Sequence, residues 1–517
     1  MRNGVAIRMR RLPRRLTVLA VLAVLGCSSG QNRGTADPST LKILYDADER
    51  IFAPYWSVEA QFLMFLPLAA YGERGEIVGR LARRWEHSPD RRIWTFYLRS
   101  DVKWHDGVPV TAHDVKFTIE LSAHPDILFE DVFHDLESIT VTDDTTLTLV
   151  YSRPKDMRNT WAVYYPKHLL EDLDPKEFWQ WEFWTHPVGN GPYRYVRHVP
   201  KTMVELEANP DFFAGKPRID RMILKFGGQG IPELLSGNVD VLTWVNQADL
   251  PKLEGDPRFN ISYFIWPDVS WLSTIYWNQR YSAFRDVRVR RALTLAIDRR
   301  QLVRALNLPE ELRLTDVIFT SRQYWSNELP PLLPYDTVEA ARLLTDAGWI
   351  DTDGDGVRDN DGSPLRFEVV LDAGSVTERA AILVQAQLRQ VGVAMELRPL
   401  ENRVWRAKLN SSDYDAAFAP LYNAIDGHLQ WLGEKARFGY DNPAVAELLA
   451  SVKETADQDE IDAIYREIMP IIRADLPMTI LFPQVQTYAV DRRLRGLESP
   501  YRGDPILFME DLWLDAR

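Results

Sequence analysis

Apolar and polar positions alternate along "LKILYDA", with Leu41, Ile43 and Tyr45 on one side, the period of a half-buried strand. "TLTLVYS" (146–152), introduced by the turn residues Asp143-Asp144, repeats the pattern. So do "TMVELEANP" (202–210) and "RMILKF" (221–226), and "IWTFYLRSDVKW" (93–104) is rich in strand formers. Elsewhere the period lengthens. "FTIELSAHPDILFEDVF" (117–133) is helical, with a break near Pro125. From Asp286 to Leu306 the residues Val289, Leu293, Ala296, Ile297 and Leu302 recur at steps of three and four, which predicts one helix. "DTVEAARLLTDAGW" (336–349) predicts another, capped by Asp336 with Glu339 three residues on and stopped by Gly348. "ERAAILVQAQLRQVGV" runs into the strand "AMELRPL", and "EIDAIYREIMPIIRADLP" runs into "MTILFP". Helices and strands are mixed throughout without a short repeat, so the class is α/β or α+β with several subdomains.

The amino-terminal stretch breaks this pattern. "MRNGVAIRMRRLPRR" carries six Arg and no acid, and "LTVLAVLAVLG" follows as a short apolar run. That run is too short to span a bilayer, which takes roughly 20 residues, and fits the apolar region of a secretory signal over residues 1–26. It ends on Cys27, the one cysteine of the chain. "VLGC" resembles a bacterial lipobox, in which that thiol carries the lipid; a plain secretory signal with a stray Cys is the competing reading. Residues 27–40 are then a lipid-anchored polar tether.

Composition narrows the partners. Without residues 1–26 the chain carries 55 Lys and Arg against 74 Asp and Glu, a net charge of −19, which argues against nucleic acid. One cysteine allows no internal disulfide, so stability rests on burial. Seventeen Trp, 20 Tyr and 21 Phe supply the area and favour an aromatic-lined cavity.

Two His-Asp pairs stand out in "VKWHDGVPVTAHDV" (102–115): His105-Asp106 and His113-Asp114. Asp106-Gly107 reads as a turn that puts His105 at its lip, and Thr111 with Asp114 reads as a helix cap. Both pairs thus have structural duties, and nothing nearby supplies the further ligands a metal centre needs. The stretch "LARRWEHSPDRRIWTFYLRSDVKWHDGVPVTAHDV" instead resembles the signature of bacterial family 5 extracellular solute-binding proteins, the peptide and nickel receptors of ATP-driven importers. The resemblance recurs in order through "PVGNGPYR" (187–194, with Asn190 where Thr is usual), "NPDFFAGKPRIDRM", "WNQRYSAFRDVRVRRALTLAIDRRQLV", "YDTVEAARLLTDAGWIDTDGDG", "QAQLRQVGV", "YDAAFAP" and "RADLPMTILF". It covers essentially residues 41 to 500.

The resemblance implies a class II-like, two-lobed periplasmic-binding-protein fold with a hinge and an interlobe cleft. On that map residues 41–60, 180–268 and 485–517 form domain I, 61–179 a small domain II, and 269–484 domain III, the second lobe. It also implies that an Asp after the "YDAAFAP" strand meets a peptide's α-amino group. Here the usual Trp-x-x-Asp is missing and Asp426 falls about two residues late. Asp426, Tyr422, Asn423, His428 and Trp431, with Trp271, Tyr276 and Asn278 at the entry to domain III, are the candidate ligand residues; core burial competes for each aromatic. "YDADE" (45–49) is a further candidate lip.

"DTDGDGVRDNDG" (351–362) copies the first half of an EF-hand loop, with Asp351, Asp353, Asp355 and Asp359 at ligand positions and Gly356 at the turn. Gly362 stands where the bidentate Glu belongs, so any calcium binding is expected near the roughly 10⁻⁴–10⁻³ M range. An acidic surface turn is the competing reading. No nucleophile elbow, zinc-protease or phosphate-loop motif occurs, and no enzyme is expected. The expectation is a monomeric, membrane-anchored extracytoplasmic lipoprotein that needs no cofactor. It would capture a small solute, a peptide before a nickel chelate, an oligosaccharide or another amine-bearing metabolite, and deliver it to permease subunits with cytoplasmic ATPases. A sensor or adaptor on the same fold is the alternative.

Overall fold

The computed structural model describes residues 39–515 apart from 46–57, 72–76, 125, 128–132, 134, 156–161, 244, 246, 254, 265–268, 311, 320–322, 324–327, 374–375, 425–437 and 497–508. The expected signal and Cys27 lie outside the described residues. In chain order the main strands of the first half are β1 (Thr40–Tyr45), β2 (Ala82–His87), β3 (Ile93–Leu98), β4 (Leu136–Asp143) and β5 (Thr146–Tyr151). They continue with β6 (Tyr193–Val199), β7 (Met203–Ala208), β8 (Arg221–Phe226), β9 (Val241–Leu242) and β10 (Phe259–Phe264). The second half adds β11 (Val269–Trp277), β12 (Arg366–Asp372), β13 (Ala394–Leu400), β14 (Ala416–Ala424), β15 (Met478–Pro483) and β16 (Gln486–Asp491).

Three sheets organise these strands. A seven-stranded sheet has the order β10-β16-β9-β1-β8-β7-β6, a four-stranded sheet β2-β3-β5-β4, and a five-stranded sheet β13-β12-β14-β11-β15. The first two share one core. Leu41, Ile43, Val241 and Leu224 of the large sheet lie in the same apolar cluster as Trp94, Phe96, Leu147 and Leu149 of the small one. Leu44, Leu242 and Ala489 cover the opposite face of the large sheet.

The five-stranded sheet has cores of its own on both faces, and the period of two sorts its residues between them. Ile275, Trp277, Phe367, Val369 and Phe418 belong to one cluster; Leu272, Tyr276, Val370, Ala417 and Leu421 belong to the other. The molecule therefore contains two bodies with separate interiors. The chain passes between them after Phe264, the last residue of β10, to reach Val269, and again through Pro483–Gln486.

Helix ends follow local chemistry. Thr111 and Asp114 form the expected capping box on α1 (Ala112–Ser122), which ends before Pro125. The stretch read as one helix over 286–306 is two, α2 (Val287–Leu295) and α3 (Arg299–Ala305). Asp298 breaks it: its side chain accepts from Gln301 N at 2.9 Å and so begins a new helix. Asp336 caps α4 (Thr337–Asp346) through Glu339 N, and Gly348 follows at φ 89°. The helix Gln458–Asp475, α5, continues through Pro470.

Candidate ligand cleft

Strand direction locates the site. β1 is parallel to β8 and β9, and β16 is antiparallel to β9 and β10. The carboxyl ends of β1, β8, β9 and β10 and the start of β16 consequently share one end of the sheet. In the second body β11 is antiparallel to β14 and β15, while β12 is parallel to β13 and β14. There the carboxyl ends of β12, β13, β14 and β15 gather beside Val269, where the chain enters. Both sheets thus turn their carboxyl ends toward the crossings. Crevices at such ends are where open α/β sheets bind ligands, because the helices and loops that follow the strands leave a recess there.

Polar groups line the crossing side. Thr243 Oγ1 donates to Leu44 O at 3.2 Å, and Gln486 Nε2 donates to Thr243 O at 3.3 Å. Gln484 Nε2 reaches Ser273 Oγ at 3.5 Å, joining the second crossing to β11. Sequence reasoning missed Thr243, Ser273, Gln484 and Gln486. The signal available was the pair of amides in "PQVQ" directly after the largely apolar "MTILF".

The candidate residues separate into three groups. Tyr422 and Asn423 lie at the carboxyl end of β14, in register with Trp271 and Ser270 of β11, so the strand ends bring Trp271, Tyr422 and Asn423 together at the crossing side. Tyr45 ends β1 on the same side of its own sheet. Tyr276 and Asn278 are corrected to structural residues. They lie roughly 17 and 24 Å beyond Trp271 at about 3.4 Å per residue, with Asn278 just past the end of β11. Tyr276 is buried, packs 4.7 Å from the Phe438 ring and donates its hydroxyl to Pro420 O at 3.2 Å. Asn278 Nδ2 donates to Tyr414 O at 2.6 Å. Asp426, His428 and Trp431 lie outside the described residues, as do Asp46 to Glu49.

One edge of β14 is open. β12 pairs with it only at Ala416 and Ala417. Beyond that, Trp405 Nε1 donates to Phe418 O at 3.2 Å and Tyr276 Oη to Pro420 O, so the main chain of alternate residues faces that edge. By the same alternation Tyr422 and Ala424 face it too. Among the described residues no strand pairs with them there. Pro420 fits this edge, since a residue without an N–H forfeits no ladder bond.

The two His-Asp pairs are scaffolding. His105 N donates to Gly189 O at 2.7 Å, Gly189 N donates to His105 Nδ1 at 3.2 Å, and Nε2 donates to Gly191 O at 3.1 Å. Both ring nitrogens are committed, with the proton on Nε2, and burial lowers the imidazole pKa to about 4. Asn190 N and Gly191 N meet Met64 O at 2.8 Å each, and Asn190 Oδ1 accepts from Leu66 N at 2.8 Å. "WHDG" and "GNGP" thus form one knot. Asp106 pairs with His168 at 2.7 Å, and Asp114 accepts from Thr111 N and Lys167 N.

In the acidic loop the carboxylate oxygens of Asp351, Asp353 and Asp355 lie within 4.8 Å of one another. Asp359 does not join them: its Oδ2 accepts from Thr352 N at 2.9 Å and Thr352 Oγ1 at 2.7 Å. Asp351 spends both oxygens on Gly354 N and Gly356 N. Three of four expected ligands converge, fully exposed, far short of the six to eight oxygens that calcium takes.

Separate cores, two crossings and facing strand ends define a two-lobed binding protein of the clamp type. Its family follows from comparison. The sequence profile of "Bacterial extracellular solute-binding proteins, family 5 Middle" matches residues 76–430, and the chain belongs to that family. The oligopeptide-binding protein AppA of Bacillus subtilis is 25% identical over 507 residues, spanning 92% of this chain and 90% of AppA. The nickel-binding periplasmic protein of Escherichia coli is 23% identical over 448 residues, 79% of this chain and 82% of that protein. The structure of B. subtilis AppA in complex with a nonapeptide superposes with a TM-score of 0.71 at 23% identity, over 92% of this chain and 99% of that one. The family is one of solute-binding proteins, not enzymes.

Proposed function

We infer that this protein is the substrate-binding component of an ATP-driven importer, that its guest is a peptide, and that it hands the guest on intact to permease subunits. The open edge at Tyr422 and Ala424 carries the reading. An extended peptide presents donors and acceptors at the spacing of a strand and would complete that edge, while side-chain pockets around it set specificity. AppA, similar over nearly the whole chain, is named for oligopeptide binding. The guest would sit between the crossing-side ends of both sheets, with Asp426 as the anchor for its amino group and Tyr422, Asn423, His428, Trp431 and Trp271 around it. Closure about the hinge then removes it from water, and the guest's differential affinity for the closed form drives that shift. The reading needs no cofactor and no second copy of the chain, and it places Cys27 on a lipid anchor outside the cytoplasmic membrane.

Mass spectrometry of small molecules released from the purified protein, followed by thermal-shift titration, tests it. Peptides are expected to raise the melting temperature in proportion to RT ln(1 + [L]/Kd). A nickel chelate or a sugar that stabilises while a broad peptide library does not would replace the peptide, and conversion of any guest into a product would end the reading.

A further inference from the structure

The turn joining β2 to β3 is held from several directions. Ser88 N donates to Ile93 O and Arg91 N donates to Ser88 O, each at 2.9 Å, while Ile93 N donates to Ser88 Oγ at 3.0 Å. The Arg91 carbonyl accepts from Trp94 Nε1 at 2.9 Å and from Lys155 N at 3.1 Å. Within this frame Arg91 adopts φ 52°, left-handed backbone that glycine or asparagine occupies with less strain. An arginine held there calls for a reason in its side chain.

The side chain leaves its own lobe. Its guanidinium donates through Nη1 to Ala456 O and through Nη2 to Asp457 Oδ2 at 3.3 Å, both in the second lobe. Asp457 is prepared for this. Its Oδ1 caps α5 by accepting from Asp459 N at 2.9 Å and Glu460 N at 3.3 Å, which leaves Oδ2 for the arginine. These two cap bonds at the helix's positive end fix the carboxylate's orientation. α5 packs into the core of the second lobe through Ile461, Tyr465 and Ile468, so a pull on its first turn acts on the whole lobe.

We propose that Arg91 is an interlobe latch: the turn of the small sheet grips the first turn of α5 and holds the two lobes together in the closed form. The inference rests on the clamp reading above, but not on the identity of the guest. The grip has two parts, a charge pair that salt weakens and a bond to the Ala456 carbonyl that salt leaves largely intact. It sits at the surface, with side-chain exposures of 31% and 46%, so it trims an equilibrium and does not lock it.

Two substitutions isolate the latch. Arg91→Gly removes the grip and relieves the backbone, so the folded lobe should be no less stable. Asp457→Asn removes the charge and keeps the helix cap, because asparagine caps as well as aspartate. In guest-free full-length protein bearing C27S, spin labels at K103C and A450C report the interlobe distance by pulsed electron resonance. Each substitution is expected to lower the closed-to-open ratio about two- to fivefold, the range of an exposed charge pair. The double variant should lose little more than Arg91→Gly alone, since both changes break one contact. Distance distributions that match the unsubstituted protein in both single variants, with urea midpoints unchanged, would overturn the latch while leaving the transport reading intact. So would effects that add in full.

Discussion

His105 shows how a residue that looks chemical is spent on architecture. Its Nδ1 accepts a hydrogen bond from Gly189 N and its Nε2 donates one to Gly191 O, and a charged ring would have to break the first of these bonds. The pH dependence follows in sign. The unfolded chain protonates this imidazole near pH 6.5, whereas the folded form resists down to about 4. Between those values the unfolded state holds more protons, so stability falls as pH drops through that window and is flat above it. The contribution lost is at most about 3 kcal/mol. Urea midpoints between pH 7.5 and 4.5 should fall more for the natural protein than for H105Q; parallel curves would remove the imidazole from the account. Sequence could assign the turn and the cap around this residue, since both are local. It could not show that "WHDG" meets "GNGP" more than eighty residues on. That meeting depends on glycine: a Cβ on Gly189 would stand 1.9 Å from Met64 O.

At the scale of elements, β14 does two jobs along nine residues. Its first two residues are locked between β11 and β12, and the rest keep only β11 as a strand partner. Replacing Ala424 by proline tests the free stretch. It deletes an N–H that no described strand uses, so thermal stability should hardly move. Peptide affinity should drop about tenfold, the worth of one or two hydrogen bonds, as read by calorimetry. Unchanged affinity would put the guest elsewhere. The resemblance implied a strand at "YDAAFAP", which the structure carries on to Ala424, but its open edge was not legible, because pairing partners come from distant segments. The same limit explains Tyr276 and Asn278. Nearness in sequence to the entry of the second lobe suggested the cleft, yet an extended strand carries a residue more than 3 Å per step away from that entry. Asp298 shows the converse error: periodicity ran unbroken across 286–306, and only the cap geometry reveals that one helix has become two.

For the whole molecule, the ordered resemblance implied two lobes, and the structure shows two bodies with separate cores joined by two crossings. What moves is set by where cores stop. The seven- and four-stranded sheets share an interior and should travel as one body, while the five-stranded sheet travels with its own helices. The proposed anchor would act through the first body. β1 is the central strand of its sheet and begins at Thr40, directly after the polar stretch Ser28–Ser39, so a lipid on Cys27 would tether the large lobe and leave the second free to close. No helix among the described residues is long and apolar enough to cross a bilayer; the proposed function assigns retention to a lipid on Cys27. C27S should therefore move the protein from the membrane to the soluble fraction and reduce uptake by intact cells, with guest affinity in solution unchanged. Retention of C27S at the membrane after a high-salt wash would show that something other than the thiol holds it there.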